Sequence, residues 1–185
     1  MQQGVARSAE PASPRSIQPA LSLLEKTPIL LETLLRDLPD DFMLWKQAAH
    51  RWSIAKVLGH LAELDLVYAD RTRRIVTEDV PALQKYDPFG SEVVVADYSR
   101  STATENLAFF MKTRRASVNL LRSLPADSVE REATHSELGT ITLLNLVSEW
   151  ASRDLGHVRQ IAEIYRAQAF QPNAGPFQKY SNPQP

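Results

Sequence analysis

Apolar residues recur at helical spacing in four long segments of this 185-residue chain, and a proline follows shortly after the end of each segment. A 3.6-residue period predicts amphipathic helices that each bury one face against a shared core. The predicted helices cover residues 21–38, 54–77, 99–124 and 140–169. Only the valine run at 93–95 has strand character. The sequence therefore predicts an all-α four-helix bundle.

The longest predicted connection, residues 78–98, lies between the second and third helices and contains Pro81, Pro88 and Gly90. This length suits a crossover along the bundle. Residues 1–19 are rich in Pro, Ser, Gln and Ala and have no apolar run, so we expect a disordered tail. Residues 20–180 then form one domain, and residues 181–185 form a short C-terminal tail.

Composition narrows the chemistry and the partners of the chain. It has no cysteine, which excludes disulfides, thiolate ligands and a cysteine nucleophile and leaves histidine and carboxylate as candidate metal ligands. The formal net charge of -1 provides no general attraction to nucleic acid or anionic membrane, so we expect neither partner. No segment is long and apolar enough to span a bilayer, and we expect a cytoplasmic protein.

Two charged residues lie on predicted apolar faces. Asp154 points along the apolar direction of the fourth helix, and Arg114 points along that of the third. Because an unpaired buried charge is costly, we predict that Arg114 and Asp154 pair or find other buried partners. We interpret the pair as a bridge that fixes helix register.

Several motifs together resemble the DinB/YfiT-like family of metalloenzymes, over residues 21–180. They are Trp52-Ser53, Gly59-His60-Leu61, the segment from Thr134 to Leu143, then Trp150, Asp154, His157, Gln160 and Ile161, and finally Gly175-Pro176-Phe177 with Tyr180. The resemblance implies a four-helix bundle, often dimeric, in which three histidines bind a divalent metal, commonly zinc or nickel, in an open pocket. We therefore expect a homodimer.

The resemblance assigns two metal ligands to this chain, His60 and His157. The third ligand position falls on Arg153, one helical turn before His157. Arginine keeps its proton and has no lone pair to offer a cation, so we expect metal binding to be weakened or absent. Glu63 and Asp154 are the carboxylates that could replace the missing ligand.

Two functions of different classes stay open. With a divalent metal, the chain would be a metal-dependent transferase or hydrolase acting on a small molecule. Without a metal, Arg153 and the two imidazoles would bind a small anion, or would only satisfy one another inside a structural bundle. Tyr68, Ser152 and His135 are further candidates for the pocket wall, and no role is assigned to them.

Overall fold

The computed structural model of the chain describes residues 16–86 and 101–181. Its elements in chain order are α1 (Gln18–Leu35), α2 (Asp40–Leu44), α3 (Ile54–Thr77), β1 (Ala82–Leu83), α4 (Ala103–Arg122), β2 (Glu132–His135), β3 (Gly139–Thr142), α5 (Leu143–Ala169) and α6 (Gln178–Ser181), with 3-10 turns at Ala126–Glu130, Gln171–Asn173 and Gly175–Phe177.

Four long helices, α1, α3, α4 and α5, form the body of the described chain. Helix α3 packs against α4 and α5, and α1 packs against the same two helices. The predicted four-helix bundle is confirmed, and α3 has the predicted bounds. None of the helices among residues 16–86 and 101–181 is long and apolar enough to cross a membrane.

A small sheet was missed by the sequence analysis. Strand β2 pairs in parallel with β1 and antiparallel with β3, with Ala133 opposite Ile141. The fourth long helix was expected to begin at residue 140, but residues 139–142 form β3 and the helix begins at Leu143. The valine run at 93–95, most of the predicted crossover and most of the predicted tails, 1–19 and 181–185, lie outside the described residues. Residues 18 and 19, which were assigned to the tail, form the start of α1.

The ends of the long helices follow from local side-chain chemistry. Thr142 accepts a hydrogen bond from the backbone N–H of Asn145, whose side chain accepts one from the N–H of Thr142, and this reciprocal capping box fixes the start of α5. Thr102 and Glu105 form the same box at the start of α4. Helix α1 ends at Leu35 because Arg36 leaves the helical region, with ψ of 137°, and Asp37 then adopts a left-handed conformation with φ of 63° in a turn closed by the Leu38 N–H and the Leu35 carbonyl.

Pro28 lies inside α1 without ending it. Proline has no backbone N–H, so the carbonyl of Leu24, four residues earlier, loses its partner within the helix. The Arg114 guanidinium replaces that partner, with Nη1 donating to the Leu24 carbonyl oxygen at 3.0 Å. The carbonyl that Pro28 leaves without a helical partner therefore forms a hydrogen bond between α1 and α4.

Arg114 is buried at the centre of the bundle, at the level where two apolar clusters meet. Its Nε donates to Asp65 Oδ1 at 2.9 Å, and its Nη2 donates to Asp154 Oδ1 at 2.9 Å. Trp150 Nε1 also donates to Asp65, at 3.0 Å. The predicted partner of Arg114 is thus accompanied by a second carboxylate, from α3.

Two buried carboxylates share this single guanidinium. Burial raises the pKa of Asp65 from 3.8 to about 6, although Arg114 opposes the shift, and the nearby charge of Asp154 adds to it. Below about pH 6 a proton on Asp65 therefore balances the charge of the cluster, which carries one excess negative charge at higher pH.

Candidate functional site

The bundle brings the two candidate histidines into contact. His60, on α3, and His157, on α5, have ring centroids 5.1 Å apart, and their ring planes are close to perpendicular. His60 is buried and also meets the ring of Trp52, at a centroid distance of 5.0 Å. Two imidazoles from different helices therefore form one pair.

Each imidazole has an oxygen acceptor beside its Nδ1 atom. The Nδ1 of His60 lies 3.4 Å from Glu63 Oε2, and the Nδ1 of His157 lies 3.2 Å from Gln160 Oε1. An imidazole that donates from Nδ1 carries its lone pair on Nε2, and metal-binding histidines commonly have such an acceptor behind them. The pair therefore presents two Nε2 lone pairs.

The surroundings of His157 favour its neutral form. Burial lowers the pKa of His157 below 6.5, the hydrogen bond to Gln160 opposes this shift, and the charges of His60 and Arg153 lower the pKa further. The charge of Asp154 acts in the opposite direction. A neutral imidazole is the form that binds a cation.

Within residues 16–86 and 101–181, no third donor joins the pair of imidazoles. Glu63 is buried beside His60, and its second oxygen, Oε1, has no hydrogen-bond partner among the described residues. Asp154 is bound to Arg114. In the part of the chain that the structure describes, no group of three His, Cys, Asp or Glu side chains could hold a metal ion. Neither carboxylate therefore takes the position of the third ligand.

Arg153 turns toward a neighbour on its own helix. Its Nε donates to Glu149 Oε1 at 2.8 Å, and about half of its side chain is exposed. The guanidinium also lowers the pKa of His157 and interacts with Tyr68. Arg153 therefore lies at the edge of the site and adds a positive charge to it.

A cavity of about 630 Å³ opens beside His60. Apolar side chains form much of its wall, namely Trp52 just before α3, Leu64 and Val67 of α3, Leu138 in the turn before β3, Ile141 of β3 and Leu146 of α5. The polar part of the wall consists of His60, Tyr68, Arg71, Lys85, Tyr86, His135, Glu137, Asn145, Glu149 and Arg153. Of the further candidates from the sequence, His135 and Tyr68 line the cavity, whereas Ser152 is exposed and does not.

Arg71 is a wall residue that the sequence analysis missed. It lies one helical turn after Tyr68 on α3, and its Nη2 donates to the Gln84 carbonyl oxygen at 2.6 Å. Burial lowers the pKa of Arg71, and the nearby charge of Arg153 lowers it further. The spacing of Leu64, Tyr68 and Arg71 along one helical face is the signal that could have identified it.

Comparisons with known proteins agree with this architecture. The model of the DinB superfamily matches residues 23–161. A protein of Oceanobacillus iheyensis named as a putative metal-dependent hydrolase is 23% identical over 141 residues, which cover 76% of this chain and 81% of that protein.

A solved structure shares the fold. It is that of YfiT from Bacillus subtilis, described as a probable metal-dependent hydrolase with an unusual four-helix bundle topology. The two structures align with a TM-score of 0.71 and 23% sequence identity, over 89% of this chain and 94% of the other. The family match covers most of the described bundle and includes both histidines, and the chain therefore belongs to the DinB superfamily.

Proposed function

We propose that this protein is a metal-dependent hydrolase that acts on a small molecule in the cavity beside His60, with an exchangeable divalent ion bound by His60 and His157. The observation that carries the proposal is the contact between two imidazoles whose Nδ1 atoms both face an oxygen acceptor. The hydrolase names of two relatives support the reaction class.

The two imidazoles fit two of the ligand positions of one divalent ion. Neutral imidazole nitrogens are good ligands for zinc and nickel, and Glu63 and Gln160 fix the two rings as outer partners do in metal sites. Catalytic zinc usually has three protein ligands. At the position of the third ligand in the family motif, this chain has Arg153, whose positive charge repels a cation. We therefore expect a weakly held ion rather than a permanently bound one.

The side chains have separable tasks in this proposal. When bound, a divalent ion would polarise a substrate carbonyl and make water more acidic. Glu63 and Gln160 keep the imidazoles oriented, and the apolar wall excludes water from most of a bound substrate. The hydroxyl of Tyr68 and the guanidinium of Arg71 are positioned to hold polar substrate groups.

A zinc titration of chelator-treated protein followed by calorimetry tests the proposal. We expect roughly one weakly bound ion per chain. His60→Gln and His157→Gln should each abolish binding, whereas His50→Gln, at an exposed position outside the cavity wall, should not. Hydrolysis of p-nitrophenyl acetate should require zinc, should be lost in His60→Gln and His157→Gln, and should persist in His50→Gln. Zinc binding that survives both histidine substitutions would refute the site.

A metal-free binding protein is the second candidate function. The observation in its favour is the positive charge of Arg153 in the cavity wall, where a donor would complete a metal site. In that case zinc would not bind at millimolar concentration, and small ligands would raise the melting temperature equally with and without chelator.

A further inference from the structure

The charged side chains of the cavity wall do not balance one another. Lys85 Nζ lies 2.7 Å from Glu137 Oε1, and Arg153 Nε lies 2.8 Å from Glu149 Oε1, so both carboxylates of the wall already have a cation. Arg71 has no carboxylate at salt-bridge distance among the described residues. Among the described residues of the wall, one positive charge is therefore in excess, at Arg71.

Toward the described part of the chain, Arg71 also uses little of its hydrogen-bonding capacity. A guanidinium has five N–H donors, and the hydrogen bond that Arg71 makes within residues 16–86 and 101–181 is the one from Nη2 to the Gln84 carbonyl oxygen. That bond holds the side chain against the segment after β1. The remaining donors of a held, half-buried guanidinium suit an oxyanion, which accepts two parallel N–H bonds.

Tyr68 adds a hydroxyl group near both arginines of the wall. Its ring is fixed by stacking on Trp150, with centroids 5.1 Å apart and planes 13° apart. Burial raises the pKa of Tyr68, and Arg153 opposes this shift by its charge and a hydrogen bond. Because a guanidinium only donates, the hydroxyl accepts in that contact and retains its own proton for another acceptor.

We propose that the ligand of this cavity is a small organic molecule with one carboxylate or phosphate group, bound between Arg71, Tyr68 and Arg153, and an apolar body beside it. Leu64, Val67 and Leu146 provide the apolar contact surface. This inference rests on the proposed function, because it takes the same cavity as the substrate site. It adds the chemical class of the substrate. The anion-binding group itself needs no metal.

A binding experiment on metal-free protein tests this inference. The full chain, treated with chelator and labelled with ¹⁵N, is titrated with phenylacetate, phenyl phosphate and benzyl alcohol, and dissociation constants are obtained from NMR shifts. The probes share an aromatic body, and benzyl alcohol lacks the charge. We expect at least one anion to bind about tenfold more tightly than benzyl alcohol, as is typical of charge-assisted hydrogen bonds.

The comparison of the two anions identifies the source of the charge. Tighter binding of phenylacetate would indicate carboxylate substrates, and tighter binding of phenyl phosphate would indicate phosphate esters. Equal binding of all three probes, or no binding of either anion at tens of millimolar, would overturn the inference.

Substitutions at two arginines of α3 locate the effect. Arg71→Gln should remove the preference for the anion, and Arg71→Lys should keep part of it, since lysine retains the charge without the fork. Arg73→Gln removes the same charge from an exposed position of the same helix outside the cavity wall and should leave the preference intact. If Arg71→Gln does not fold, Arg71→Lys and Arg73→Gln with the same three probes still test whether Arg71 binds the anion.

Failure of this inference can be distinguished from failure of the proposed function. The anion preference is measured without metal, and zinc binding is measured without anion. A preference lost in Arg71→Gln, in protein that binds no zinc, would support the anion site and refute the metal proposal. Zinc binding at His60 and His157 with no anion preference would do the reverse.

Discussion

Arg153 pairs its charge with Glu149 instead of with the histidines, so its side chain contributes little to holding the bundle together. An exposed ion pair within one helix is worth well under about 1 kcal/mol. Position 153 is nevertheless one helical turn before His157 and lines the same cavity as His60. Residue identity at this position can therefore change the chemistry of the site without unfolding the protein.

Arg153→His should convert a weak ion site into a tight one. The new imidazole adds a third nitrogen donor beside His60 and His157 and removes a positive charge. Elemental analysis of protein purified without added metal should find about one ion per chain in the variant and clearly less in the unmodified protein. Arg159→His, at an exposed position of the same helix, is the control and should not raise the metal content. Equal metal in all three proteins would contradict the prediction.

Asp65 should give the stability of the protein a particular pH dependence. Its pKa is raised to about 6 in the folded state, so between pH 3.8 and about 6 the folded protein holds a proton that the unfolded chain has released. This contribution to stability is complete below pH 3.8 and is lost as the pH rises through about 6. At about 1.4 kcal/mol per pKa unit, it amounts to at most about 3 kcal/mol.

The effect is measured as the difference between two proteins. We compare the free energy of unfolding in urea of the unmodified protein with that of Asp65→Asn. As the pH falls from about 7 to about 5, the value for the unmodified protein should rise relative to that of the variant. Asp70→Asn, at an exposed position of the same helix, should keep the slope of the unmodified protein. A constant difference between the unmodified protein and Asp65→Asn over this range would show that Asp65 does not titrate there.

The sequence identified some of the site residues and missed others for a physical reason. Helical periodicity shows which side chains face inward, and it selected Arg114 and Asp154. It does not show which inward charges meet across the core, so the second partner of Arg114, Asp65, was missed. Arg71 was missed because its spacing from Leu64 and Tyr68 places it on the same helical face but does not show that this face borders a cavity.

At the scale of elements, long segments were predictable and short ones were not. Helix α3 has the predicted bounds because Ser53 caps it and its apolar stripe is continuous. Strands β1 to β3 have two to four residues and depend on pairing between segments about 50 residues apart or across a turn, as with Leu83 and His135. A local period cannot reveal such pairing.

Thr142→Ala should destabilise the protein by about 1 kcal/mol. The substitution removes the oxygen that accepts from the Asn145 N–H and so leaves an unsatisfied donor at the start of α5. The measurement is urea unfolding followed by circular dichroism. Thr140→Ala, an exposed position of β3 that does not cap the helix, should change stability by less than about 0.5 kcal/mol. Equal effects of the two substitutions would argue against the cap.

At the scale of the whole molecule, one side chain connects all four long helices. Arg114 of α4 donates to the Leu24 carbonyl of α1, to Asp65 of α3 and to Asp154 of α5. These contacts lie where the two apolar clusters meet. The relative position of the helices along the bundle is therefore fixed from a single point.

Arg114→Met should cost about 3–5 kcal/mol of stability, since it leaves two buried carboxylates without a positive charge beside them and the Leu24 carbonyl without its donor. Urea unfolding at neutral pH measures the loss. Arg115→Met, the exposed neighbour on the same helix, should be close to neutral. Restoring part of the loss with a further Asp65→Asn substitution would confirm that uncompensated charge is the cause, and a loss below about 1 kcal/mol would contradict the prediction.

Some expectations about the whole molecule are not tested by its structure. That the chain forms a homodimer in the cytoplasm stays a prediction, as does the absence of nucleic acid and membrane partners. Size-exclusion chromatography with light scattering would decide the first.

The cavity is bounded by two kinds of wall. One belongs to α3 and α5, whose other faces build the core, so few of its residues can change without loss of stability. The other includes the turn between β2 and β3, where Glu137 and Leu138 are exposed and lie outside both apolar clusters, whereas Ala133 and Ile141 of the adjoining strands pack in the core. Substitutions at residues 136–138 can therefore alter what the cavity accepts while the helices and the paired strands stay unchanged, so a change of specificity does not require a less stable protein.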